Sequence, residues 1–349
     1  MSREALTGPF DWTGEQLDAS KRWHFELDTG DVDELEAALE HARSLGHDPY
    51  TVTRADFPLP RLAAKLAAVA GELEDGTGVA RVFGLPLEHY DTDTIELLWM
   101  GLGQHLGALR NQDPHGQLLK KIVDEGSERG ARYGQLDAGG KPFLSSRARV
   151  ASTGQLRWHT DRADIVALLC VRPALAGGLS RLASSVAVRN AMLKRRPDLH
   201  DLLFQDIYRS RLGEEVEGDR KAYPLPVFGI RDGKFTSHYS RTYVEAAQLT
   251  EGVPTMTDAQ WQALDLLAEV ASELSSGHDF VPGEIQILNN HVVYHARDAY
   301  EDGEGADEKR LLYRLWLCPP RNRALPPGHE VLWGNIEANS LRGGLDRAA

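Results

Sequence analysis

The chain has 349 residues, with 39 Lys+Arg against 52 Asp+Glu and a formal net charge of −13 at pH 7. It is 42% hydrophobic and 26% charged, which excludes wholesale disorder, and its acidity excludes a general nucleic-acid binder, because phosphate affinity comes from clustered Lys and Arg. Two cysteines (Cys170, Cys318) make no disulfide framework, no stretch approaches the ~18 apolar residues of a membrane span, and MSREALTGPFDW lacks a leader pattern, so a cytoplasmic globular protein is expected, with no membrane partner.

Residues 1–78 predict an N-terminal helical and irregular extension packed on a core domain of residues 79–349. Within the extension, Leu35, Leu39 and Leu45 at near-helical spacing predict a helix over Asp31–Leu45, with Asp31 or Asp33 as its cap. A second helix is predicted across Leu62–Leu73. Val79–Leu87 reads as a strand stopped by Gly84 and Pro86, and Asp93–Leu106 as a helix weakened by two glycines. Residues 110–157 are polar and Gly-rich, the composition of surface loops and short strands. The β-branched run from Asp164 to Pro173 predicts a buried strand, and Gly177-Gly178 a turn. SVAVRNAMLKRRPDLHDLLF predicts a helix broken by Pro197 and capped by Ser184 or Ser185. Thr257 and Gln260 form a capping box for a helix over Thr257–Leu274. GEIQILNNHVVYH and RLLYRLWLC are strand-like. Strands thus flank helical insertions at about 186–205 and 240–276, which predicts an α+β chain with a mainly β, antiparallel sandwich or barrel core.

The chain contains no GxxxxGK[ST], no GxGxxG opening a helix after a strand, and no GxSxG, HExxH or CxxC. Histidine is the informative residue. A non-haem Fe(II) site takes two imidazoles and one carboxylate on one face of the metal. His-x-Asp/Glu on a strand places both side chains on one side. Three such pairs occur, His24–Glu26, His89–Asp91 and His159–Asp161. The first lies in the polar N-terminal arm, and the second enters a helix that Asp91 or Asp93 would cap. The third directly precedes the strongest buried-strand candidate, where a metal can be reached from a cavity. A further histidine should come from a remote strand. One strand face would carry His291, Val293 and His295 together, so periodicity leaves His291 and His295 both open. Arg310 and Arg314, four apart, should face one cavity. Arg314, embedded in LLYRLWL, calls for a partner such as a bidentate carboxylate.

RWHTDRAD, GGLSRLASS, GEIQILNNHVVYHARDAY and KRLLYRLWL resemble, in order and spacing, the taurine dioxygenase-like (TauD/TfdA) family of Fe(II)- and 2-oxoglutarate-dependent oxygenases, over roughly Val79 to Pro319. The resemblance implies a double-stranded β-helix (jelly roll, clavaminate synthase-like) with helical insertions. It implies His159, Asp161 and His295 as iron ligands, the NNxxxxHxR pattern selecting His295. It implies Arg314 on the distal carboxylate of 2-oxoglutarate, Ser180 where the family commonly has a threonine hydroxyl on the same group, Arg310 as a second basic residue nearby, and Asn290 in a structural place. The implied reaction consumes O2 and 2-oxoglutarate, releases succinate and CO2, and by default hydroxylates an unactivated C–H bond. Because Asp161 is present, halogenation is disfavoured. Asn111, Arg162, Arg209, Arg211, Tyr239 and Arg241 are the expected substrate wall, for a small anionic metabolite of carboxylate, sulfonate or amino-acid type. Trp158, Trp316 and both cysteines are expected to pack. A homo-oligomer is compatible with this chain but not dictated by it. Two rival readings are a metal-dependent hydrolase or isomerase on a cupin-like barrel, which has no use for Arg314, and a silent small-molecule-binding relative, which would have lost a ligand.

Overall fold

Alternation along one strand, β17 (Leu311–Cys318), sorts the protein into layers in a computed structural model that describes residues 3–125, 149–211 and 220–345. Tyr313, Leu315 and Leu317 project to one side, into a core shared with the N-terminal helices. Leu312, Arg314 and Trp316 project to the other, toward a second sheet. β17 lies in a seven-stranded sheet ordered β1 (His24–Glu26), β2 (Val79–Phe83), β14 (Ile285–Asn289), β6 (Ile165–Arg172), β17, β3 (Ala108–Arg110), with β4 (Leu119–Ile122) also on β17. Every pairing is antiparallel except β1 with β2. Facing it is an antiparallel four-stranded sheet, β13 (Ser276–His278), β8 (Ser180–Ser184), β15 (Val293–Arg297), β5 (Leu156–His159). The two form a double-stranded β-helix. Short pairs complete it: β7 (Ala176–Gly177) with β16 (Tyr300–Glu301), β9 (Ile207–Ser210) with β10 (Ala222–Leu225), and β11 (Phe228–Arg231) with β12 (Lys234–Ser237).

Helices Thr29–Ser44, Ala63–Asp75 and Thr92–Leu106 cover the outer side of the larger sheet, where Leu35, Leu39, Leu73 and Trp99 meet Ile287 and Leu315. Wholly burying a side chain such as Leu98 contributes about 1.5–3 kcal/mol. Ser185–Arg195, Pro197–Leu202 and Asp258–Glu273 cover the smaller sheet, packing on Ala183, Tyr294 and Ala296. The predicted break at Pro197 is present, with Pro197 opening the second helix, where its missing N–H costs nothing. Ser184, Asp91 and the Thr257–Gln260 box cap as expected. The cap of the first long helix is Asp28, not Asp31 or Asp33; Asp31 is its reciprocal partner at the third helical position. Gly177 and Gly178 both adopt positive φ (72° and 75°), the conformation the predicted turn requires.

Within the N-terminal 78 residues, His24–Glu26 pair in register with Arg81–Phe83 at the edge of the main sheet. One expectation changes. GEIQILNNHVVYH is two strands: β14 ends at Asn289, the chain turns, and β15 begins at Val293 in the other sheet. His291 therefore sits in the turn and shares no strand face with His295. Among the described residues no helix is long and apolar enough to cross a membrane, and Cys170 and Cys318 are free and buried.

Candidate active site

Pairing of β5 with β15 sets His295 directly opposite His159, with ring centroids 4.1 Å apart. Asp161 returns to the same side two residues later, and one ligand atom from each of the three lies within 4.8 Å of the others. The Arg157 carbonyl can only accept, so its 2.8 Å contact to His159 Nδ1 puts the proton there and leaves the lone pair on Nε2. Asn290 clamps the turn: its Oδ1 accepts from the Asp161 backbone N–H (2.9 Å), and its Nδ2 donates to the Ala163 carbonyl (2.8 Å). Trp316 Nε1 donates to Asp161 Oδ2 at 3.0 Å. Burial pushes the Asp161 carboxyl up, but Arg314 and the two imidazoles outweigh it and hold it at about 2. Burial lowers both imidazoles, His295 to about 3. At neutral pH the cluster is two neutral imidazoles and one carboxylate, a donor set that fits Fe(II).

Arg314 lies against this cluster. Its Nη1 is 3.3 Å from both Asp161 oxygens, its Nε donates to Gln112 Oε1 (2.7 Å), and Gln112 Nε2 donates back to the Arg314 carbonyl (2.7 Å). Those partners offset the desolvation of a guanidinium in an apolar strand. Below the cluster the cavity continues to Ser180, Gln286, Arg297 and Arg310. Arg297 sits opposite Ser180, one inward step from His295 opposite Leu182. Arg310 is 4% exposed, and its Nη1 has no hydrogen-bond partner; neither has Gln286 Nε2. Arg297 and Arg310 flank the Tyr300 ring at 4.7 and 5.2 Å, and burial lowers the pKa of both, Arg297 to about 10. Unsatisfied cationic donors in a buried pocket fit a bound carboxylate. On the other side of the cluster a second chamber is lined by Lys120, Arg162, Tyr223, His238, Ser240 and Tyr243 around His159, Asp161 and Arg314.

Of the six residues expected in a substrate wall, Arg162 lines this chamber. Asn111 faces the C-terminal segment, its carbonyl accepting from Leu345 N–H (2.8 Å). Arg209 is wholly buried and ties four carbonyls together, those of Ile207, Leu225, Pro226 and His238, which makes it a structural clamp. Arg211 stacks on Tyr223 at 4.6 Å and donates to the Val331 carbonyl (2.7 Å), behind the chamber wall. Tyr239 and Arg241 open onto a different cleft; Tyr239 packs on Tyr294, and Arg241 pairs with Glu245 and Asp265. Alternation explains the error. In SHYSR it is His238 and Ser240 that point to the chamber, so Tyr239 and Arg241 point away.

His291 is excluded as a ligand because both ring nitrogens are taken. Its Nε2 donates to Asp164 (2.7 Å), and its Nδ1 accepts from Thr236 Oγ1 (2.7 Å). His24 packs between Trp23 and Phe83, and His89 lies exposed beside Glu88. Trp158 bonds Ser272 in the core. Burial pushes the Cys170 thiol up to about 12 and Cys318 to about 11, so neither is a nucleophile. Nothing in the sequence reading singles out Lys120, Tyr223, His238 or Gln286. The one legible signal was Gln286, a carboxamide inside the apolar run IQILN.

Other buried histidines give the protein an acid limit. Burial and neighbouring cationic groups depress His278 to about 3 and His329 to about 4. Below pH 6.5 the unfolded chain binds protons these native imidazoles refuse, so stability is full above that value and is lost as pH falls toward 4. The metal-free protein should lose at least ~2 kcal/mol between pH 6 and 5, at up to ~1.4 kcal/mol per histidine per pH unit. Urea unfolding across pH 5–7.5 checks this, and a flat profile would contradict it.

A double-stranded β-helix with this donor set above an anion-accepting pocket is the arrangement of an Fe(II)- and 2-oxoglutarate-dependent oxygenase, and that is the class of enzyme defined here. Residues 41–316 match the taurine catabolism dioxygenase TauD, TfdA family, and the chain belongs to it. It is 29% identical over 330 residues to FR-33289 synthase of Streptomyces rubellomurinus, covering 93% of each chain. It is also 29% identical over 325 residues to the taurine hydroxylase-like protein SAT17 of Stachybotrys chartarum, covering 88% of this chain and 80% of that one. Among solved structures it resembles asparagine oxygenase in complex with Fe(II), 2S,3S-3-hydroxyasparagine and succinate (TM-score 0.64, 17% identity, 84% of this chain and 93% of that one). It also resembles the non-heme iron oxygenase OrfP in complex with Fe and alpha-ketoglutaric acid (TM-score 0.57, 18% identity, 84% and 93%).

Proposed function

We propose that this oxygenase hydroxylates an unactivated C–H bond of a small, anionic, amino-acid-like metabolite as 2-oxoglutarate is converted to succinate and CO2. The observation that carries the substrate class is the chamber over the metal cluster: Lys120, Arg162 and Arg314 contribute to its lining, and Asp161 is its only acid among the described residues. Substrates of that size and polarity are consistent with relatives of the same fold, one holding hydroxyasparagine and another, OrfP, (3S)-hydroxy-L-Arg.

His159, Asp161 and His295 would hold Fe(II), which supplies the oxidising chemistry once O2 and 2-oxoglutarate are bound. Asn290 and Trp316 keep the Asp161 carboxylate in place, and its ionised state at neutral pH leaves no proton to compete with the metal. Arg314 is already engaged by Asp161 and Gln112, next to the metal ligands. Arg310, four residues before Arg314, lines the pocket below the cluster and keeps an unsatisfied donor, so Arg310 is assigned the distal carboxylate in place of Arg314. Arg310→Met should weaken 2-oxoglutarate binding about 100-fold, as truncating a buried charge pair does, with Fe(II) affinity within about twofold of wild type. Anaerobic absorbance titration of the Fe(II) protein measures both, and the opposite outcome, loss only on changing Arg314, restores the first assignment.

The test of function is substrate-stimulated succinate formation across a panel of α-amino acids, sulfonates and other small acids, with product mass showing a gained oxygen atom. Stimulation by uncharged or cationic compounds alone would overturn the anionic assignment.

A further inference from the structure

We propose that the Gln286 carboxamide donates directly to the distal carboxylate of the cosubstrate, and that the Ser180 hydroxyl acts through it by orienting that amide. The inference rests on the reading above that 2-oxoglutarate fills the pocket below the metal cluster. Gln286 is 1% exposed and lies on β14 between Ile285 and Ile287, yet its side chain enters this pocket beside Ser180, Arg297 and Arg310. A polar group there is expensive unless it is satisfied. Half of it is: Ser180 Oγ donates to Gln286 Oε1 at 2.8 Å. The other half, Nε2, is buried with no partner, as is Arg310 Nη1 in the same pocket.

An orphaned buried donor is costly, and two orphaned donors sharing a pocket call for one acceptor with two oxygens. The Ser180 proton is committed to Oε1, and a carboxylate has no proton to offer in exchange. With Oε1 held by Ser180, the amide N–H points away from the hydroxyl and is left for the ligand. The arrangement thus moves the donor from the hydroxyl to the amide, while the hydroxyl fixes which end of the amide is presented. β-Sheet register supports the geometry, since Gln286 pairs with Leu168, and Leu168 with Arg314, placing Gln286 and Arg314 in one row across the sheet and on its inner side.

The test compares two ligands on the anaerobic Fe(II) protein: 2-oxoglutarate, and 2-oxopentanoate, which has the same chain without the distal carboxylate. Gln286→Leu should weaken 2-oxoglutarate about 10- to 100-fold and leave 2-oxopentanoate unchanged, the range for losing a hydrogen bond to a charged group. Gln286→Asn, which withdraws the amide by one carbon without overfilling the pocket, should fall between, and it serves if the leucine variant folds poorly. Ser180→Ala should cost about threefold, and S180A added to Q286L should cost nothing more, because the hydroxyl works through the amide. Thermal shift with Mn(II) and 2-oxoglutarate gives an independent readout of the same order. If S180A costs as much as Q286L and the two add, the hydroxyl is the direct donor and the proposal falls. A folded, metal-loaded Q286L that binds 2-oxoglutarate normally overturns it as well. If wild type fails to favour 2-oxoglutarate over 2-oxopentanoate, the pocket assignment falls first and takes this proposal with it.

Discussion

Asp161→Ala is expected to weaken Fe(II) binding at least ~100-fold, the upper end of what losing even an outer-shell partner costs, and to reduce substrate-stimulated succinate formation below detection. Asp161 is the only anion of the three-residue cluster, and its carboxyl is held at about 2, so it is fully charged wherever the enzyme works. Removing it leaves two neutral imidazoles and strands the Arg314 guanidinium, whose Nη1 is 3.3 Å from both carboxylate oxygens. A cation would then meet a bare positive charge where a neutralising one had been. Asp161→Asn keeps the shape and the Trp316 contact but not the charge, and should lose the metal almost as completely. The fold should survive both changes, because Asn290 still ties the turn to the Ala163 carbonyl. Anaerobic Fe(II) and Mn(II) titrations, with circular dichroism to confirm folding, measure the effect. Wild-type metal affinity in a folded Asp161→Ala protein would place the metal elsewhere.

Arg342→Met is expected to have the largest effect on stability. Arg342 belongs to the C-terminal segment, yet its guanidinium is buried against Asp164, with Nε and Nη2 at 2.9 and 2.6 Å from Oδ1. His291 donates to the same oxygen at 2.7 Å, and Trp333 stacks over the imidazole at 4.8 Å. Without Arg342, an Asp164 anion stays buried with no cation on it, beside a neutral imidazole and the Cys318 thiol. Breaking one side of such a pair costs about 3–5 kcal/mol, or roughly 4–7 °C in melting temperature for a chain of this size. Replacing Asp164 by Asn in the same protein should restore part of that loss, since the stranded charge is then gone. Asp164 is three residues past Asp161, but the metal cluster has its own supports in Asn290 and Trp316, so metal affinity well below the melting point should stay within a few-fold. A melting temperature lowered by under ~2 °C would show the pair to be weak.

Legibility in the sequence followed the range of the interaction. Strands, helices and most caps were readable because alternation, helical spacing, Pro197 and the Thr257–Gln260 box act within a few residues. The His159–Asp161 pair was readable for the same reason, and order and spacing of the motifs carried the rest of the metal set. What failed were assignments of facing. At SHYSR the inward set is His238 and Ser240, one residue out of phase with the expected wall, and Arg209 ties carbonyls that the fold brings together.

Residue order specifies which residue types can meet on one strand face, and so which chemistry is available: imidazole, carboxylate and guanidinium in a mainly β chain. Tertiary structure alone decided who meets whom. It put His291 in a turn with both nitrogens occupied and His295 across from His159, and it set Arg314 against Asp161 and Arg310 deeper in the cavity. The reason is physical: periodicity states the side on which a side chain emerges, whereas partners are set by the pairing of strands remote in sequence.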